Sequence, residues 1–136
     1  MTNQSIAASY RDATAGRRRS IAADLAFWGS VGAIVAALSE PLGKWWGLPQ
    51  SMLLAGGVAF AVLGAGLVLA LSRIRVIPRA LVGGFAASNL LLAPLAWVAA
   101  ALHWLPLSAA GNVALIIAGF AAVVLGIWQV NALRRS

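Results

Sequence analysis

The chain has 136 residues, of which 62% are hydrophobic and 10% charged, where a soluble domain has roughly a quarter charged. Ten Lys and Arg against three Asp and Glu leave a formal net charge of +7, but a mean hydropathy of +0.90 allows too little polar surface for a nucleic-acid binder. With no cysteine and one histidine, no thiol nucleophile or multi-histidine metal site can be assembled, and neither metal nor cofactor is expected.

The first 20 residues are polar and aperiodic and carry Arg11, Arg17, Arg18 and Arg19, which predicts a disordered basic tail ahead of a domain over 21–136. A basic run before an apolar segment also looks like an export signal, but cleavage near Ala37 would leave three spans and spoil the charge alternation described below.

A bilayer core of about 30 Å takes on the order of 20 apolar residues as helix. The first such helix is predicted over 21–39, with Asp24 in its first turn, where the helix dipole favours a carboxylate and where Arg73, Arg75 or Arg79 would pair with it. A connection with Glu40, Lys44, Trp45 and Trp46 leads to a second helix over 49–72, and an arginine-rich loop to a third over 79–103. The His103-Trp104-Leu105-Pro106 break separates a fourth over 107–133, because proline suits a first helical turn and disfavours helix in the residue before it.

Nine of the ten basic residues then fall in the two terminal segments and the second connection, and Lys44 alone falls elsewhere. The positive-inside rule therefore predicts both termini and that loop in the cytoplasm of a bacterial inner-membrane protein, with two hairpin tips outside. Trp45, Trp46 and Trp104 suit the outer interface, and Trp28 and Trp128 the inner. The predicted fold class is all-α: a transmembrane four-helix bundle, N-in/C-in, made of two helical hairpins. Small residues at helical spacing, such as Gly29-Ala33-Ala37, Gly57-Ala61-Ala65, Gly83-Ala87 and Ala118-Ala122-Gly126, are expected to line the contacts. Trp46 to Ser51 and Trp104 to Ser108 enter their helices alike, which raises a hairpin duplication against the simpler view that any such hairpin selects Trp and Pro there.

Asn89 is the sharpest internal signal, since an unpaired carboxamide in hydrocarbon costs several kcal/mol. With Ser88 and the Leu90 carbonyl that Pro94 cannot bond, it forms a candidate ligand or permeation site; as a structural group it would bond across helices, with Ser30 at similar depth. Glu40, Lys44 and His103 form a candidate outer-surface cluster, either a titrating pair or headgroup anchors. Asn112, Gln129 and Asn131 are expected to cap the fourth helix or face water. A Ser-His-Asp enzyme is excluded, because Asp24 and His103 lie about a membrane thickness apart.

From Pro41-Leu42 through Gly47-Leu48-Pro49, the Arg73 to Arg79 loop, the Asn89 helix and Leu125-Gly126 to Arg134-Arg135, the chain resembles small bacterial four-helix integral membrane proteins of no assigned activity. The resemblance spans about 21–135 and implies no functional residue. Small multidrug-resistance transporters look similar in size, but their pattern embeds a Glu in the first helix, and Glu40 here lies at that helix's end. The expected role is a non-enzymatic accessory or homo-oligomeric subunit, in contact with membrane lipids and with its own copies or another membrane protein, holding a lipid-like ligand. The rival is a small dimeric transporter or channel around Asn89 and Pro94.

Overall fold

A computed structural model describes residues 2–136 and is all-helical over them. Five helices follow in order: α1 (Asn3–Ala37), α2 (Ser39–Trp46), α3 (Gln50–Arg73), α4 (Arg79–Ala101) and α5 (Ala109–Arg134). Four of them, all but α2, are long and apolar enough to cross a membrane.

Two elements differ from expectation. The segment expected to be disordered is helical and continuous with the first span, so α1 has 35 residues and a length of about 52 Å. Its Ala and Arg residues are strong helix formers, no Pro interrupts them, and Arg17 and Arg18 are tied down. The connection after the first span is the short helix α2, which starts in Ser39-Glu40-Pro41 and ends at Gly47 with φ 77°, a left-handed conformation that glycine adopts without strain.

The remaining ends follow local chemistry. Pro49 and Pro78 sit in extended geometry just before α3 and α4. Ser108 caps α5, accepting a hydrogen bond from Gly111 N at 3.2 Å, so this helix starts two residues later than the proline suggests. The end of α4 is closed by the paired bonds Trp104 N to Ala99 O (3.0 Å) and His103 N to Ala100 O (3.4 Å). His103 thereby holds a φ of 50° that costs a non-glycine residue about 1 kcal/mol. His103→Gly should therefore raise unfolding stability in mixed micelles by about 1 kcal/mol; an unchanged or lowered stability would show that the imidazole contributes more than its backbone strain costs.

Helix α1 packs along α3, and α4 along α5. In the first hairpin the contact is backbone on backbone: a Cβ on Gly57 would lie 2.6 Å from Gly32 O and Ala36 N, and one on Gly64 would lie 2.9 Å from Gly29 Cα. The α1 contact face is thus Gly29-Gly32-Ala36, one step round from the expected Gly29-Ala33-Ala37 stripe, and Ala33 and Ala37 are exposed. In the second hairpin large side chains fill the glycine notches, Trp97 against Gly119 and Leu90 against Gly126. Nothing lies within 4 Å of a Cβ placed on Gly83, so the expected Gly83-Ala87 stripe is not a packing face. The hairpins meet through α1 against α5 and α4 and through α2 against α5, whereas the backbones of α3 and α4 make no close approach among the described residues.

At the arginine-rich end, Ile21, Leu25, Leu71, Ile77 and Val82 form the buried core. Arg17 and Arg18 clamp the loop between α3 and α4: Arg17 Nη1 donates to Ile77 O (3.2 Å), and Arg18 donates to Leu71 O (2.5 Å) and to Ile74 O. Arg17 Nε and Arg79 Nη1 both reach Ser136, so the middle of α1 is gathered there with the start of α4 and the end of α5. At the opposite end the two tips are joined, since Ser108 N donates to Trp46 O at 2.8 Å.

Candidate functional site

Asp24, Asn89 and Gln129 come from three helices, and each is almost fully buried, with exposures of 2%, 4% and 0%. They form one hydrogen-bonded centre. Asn89 Nδ2 donates to Asp24 Oδ2 at 2.7 Å and to Gln129 Oε1 at 3.2 Å, and Gln129 Nε2 donates to the same Asp24 oxygen at 2.6 Å. Both carboxamides thus converge on a single carboxylate oxygen. Contacts of this kind, to a group that carries or shares charge in a dry setting, are the strong class of hydrogen bond.

The centre corrects three expectations. Asp24 pairs with no arginine: it lies seven residues beyond Arg17, about 10 Å along α1, while the guanidinium groups of Arg17 and Arg18 turn to backbone carbonyls around the α3–α4 loop. The residues proposed as its partners lie elsewhere; Arg79 bonds Ser136 O, Arg73 ends α3 and Arg75 lies in the loop after it, both exposed. Asn89 is indeed bonded across helices, but Ser30 is exposed and is not its partner. Gln129 neither caps α5 nor faces water. One signal in the sequence bears on it: Asp24, Asn89 and Gln129 each lie within a few turns of an arginine, Arg19, Arg79 and Arg134, on the same side of the predicted bundle.

Because α3 and α4 stand apart, an apolar cleft of about 580 Å³ opens between them, within the range of small-molecule sites. Asp24, Ser88 and Asn89 lie at the arginine-rich end of its lining, and Leu95, Ala99 and Leu105 at the other. Trp28, Phe60 and Phe85 add aromatic surface. Of the candidate set Ser30, Ser88, Asn89 and Pro94, the structure brings Ser88 and Asn89 to the cleft and leaves Ser30 and Pro94 exposed outside it. Ser88 Oγ donates to Gly84 O at 2.8 Å and adds little polarity of its own.

The three tip-end residues do not form one group. Lys44 Nζ lies 2.9 Å from Glu40 Oε1, one turn along α2, and this exposed pair contributes little to stability. The hydrogen bond from Lys44, and then its charge, hold the Glu40 carboxyl below the ordinary glutamate value. His103 instead lies beside Asn112, with 3.4 Å between Nδ1 and Nδ2. Among the described residues no three His, Cys, Asp or Glu side chains gather as metal ligands. Comparison of the chain with protein-family models, with curated proteins and with solved structures gives no match, so the reading of this site rests on its own geometry.

Proposed function

We propose that the chain is a non-enzymatic, multi-pass protein of a bacterial inner membrane, with both termini cytoplasmic, that acts as an accessory or homo-oligomeric subunit and holds one lipid-like amphiphile between α3 and α4. The observation that carries this reading is the join of a long apolar cleft to a buried polar centre at one end, the shape of a molecule with a tail and a head. The arginines gathered at one end favour the cytoplasmic assignment of that end. A transporter or channel around Asn89 and Pro94 is less well supported, because the polar groups lie at one depth and Pro94 faces away from the cleft.

Native mass spectrometry of the detergent-purified chain tests the reading. Wild type should carry one lipid-sized adduct, and Ala96→Phe, which places a ring in the cleft, should lose it while still unfolding in one cooperative transition. An adduct that survives the substitution, or a wild type that carries none, would refute occupancy of the cleft.

A further inference from the structure

The charge and hydrogen-bonding pattern of the polar centre specify the head of that amphiphile, an inference that rests on the lipid-like reading of the cleft. Both hydrogens of Asn89 Nδ2 are taken, by Asp24 Oδ2 and Gln129 Oε1. Gln129 is fully buried and does not line the cleft. The polar atoms left without a protein partner on the two cleft-lining residues are therefore acceptors, Asp24 Oδ1 and Asn89 Oδ1. Neither oxygen is among the fully sealed polar atoms without a partner, which are Thr14 Oγ1 and Asn112 Oδ1 among the described residues.

Charge points the same way. The one salt bridge among the described residues is Lys44–Glu40, so no basic side chain stands within ion-pair distance of Asp24. A carboxylate in an apolar site without a cation is costly, and a ligand that brings the positive charge removes that cost. Trp28, Phe60 and Phe85 line the same cleft, and the faces of aromatic rings attract cations.

We propose that the cleft binds a single-chain amphiphile with a protonated primary amine as its head. The ammonium donates to Asp24 Oδ1 and Asn89 Oδ1, and the alkyl chain runs between α3 and α4 toward Leu95 and Ala99. From Asn89 to Ala99 the cleft follows about 15 Å of α4, a length that suits one extended chain. An aminophospholipid fits less well: its phosphate would belong among the arginines, about 10 Å from Asp24 along α1.

The test uses the full chain in phosphatidylcholine nanodiscs, titrated with dodecylamine or dodecanol brominated at mid-chain. The signal is the tryptophan quenching lost in Trp28→Phe. The amine should reach half-saturation at a concentration at least about tenfold lower than the alcohol, the low end of what a charge-assisted hydrogen bond contributes. Asp24→Asn should bring the two within about twofold by weakening the amine alone. Equal affinities of amine and alcohol for wild type would overturn the amine assignment while leaving a lipid-like ligand in place, and this comparison does not depend on the variant folding. Quenching by neither probe beyond the Trp28→Phe control would remove the cleft reading itself. If phosphatidylethanolamine in the nanodisc displaces the bound amine, the head is an aminophospholipid's and the single-chain assignment fails.

Discussion

Gln129→Leu should destabilise the chain by about 3 kcal/mol in mixed-micelle unfolding, far more than the loss of an ordinary hydrogen bond between membrane helices. The substitution removes one of the two donors on Asp24 Oδ2 and leaves Asn89 Nδ2 without one of its acceptors, in a site where water cannot replace either. Asn89→Leu should cost about as much, for the same reason. The triple variant Asp24→Leu, Asn89→Leu, Gln129→Leu should return to within about 1 kcal/mol of wild type, because a polar group removed together with its partners leaves nothing unsatisfied. Additive losses in the triple variant would mean that the centre stabilises the fold outright. The predicted recovery would mean that the three polar residues contribute little net stability, in keeping with a binding role.

Gly57→Ala should destabilise by about 2 kcal/mol, whereas Gly56→Ala, its neighbour in sequence, should be neutral or stabilise by up to about 1 kcal/mol. A Cβ on Gly57 meets two backbone atoms of α1 at 2.6 Å, and backbone cannot swing aside as a side chain can, so the α1–α3 pair must separate. A Cβ on Gly56 meets nothing within 4 Å, and alanine is the better helix former. The same unfolding assay checks both. Equal effects at the two positions would contradict the backbone-on-backbone contact of the first hairpin. Because the cleft depends on α3 being drawn to α1 and away from α4, Gly57→Ala should also weaken binding of the brominated amine.

Much of the helical frame was legible in the chain. The charge-free stretches and the 103–106 break locate the four long apolar helices to within a few residues, apart from the extension of the first toward the N-terminus. The polar centre was legible only in part. Asn89 stood out because a carboxamide deep in an apolar helix needs a partner, and Asp24 because it is an acid among apolar residues. Gln129 reads as a cap or a water-facing residue because it lies near the end of its helix, where glutamine ordinarily meets water. The arginine clamp on the loop was not legible at all, because it depends on backbone carbonyls of Leu71, Ile74 and Ile77, which no residue type announces.

The sequence by itself determined that the chain is all-helical, with four helices long and apolar enough for a bilayer, because in hydrocarbon each backbone amide must be satisfied within its own segment, a local demand that length and composition reveal. Tertiary structure alone decided which faces of those helices meet, and with that the partners of Asp24 and the gap between α3 and α4. Contacts such as Gly57 on Gly32 and Gln129 on Asp24 join residues far apart in the chain, and a turn of one residue around a helix, as between Ala33 and Gly32, exchanges an exposed position for a buried one.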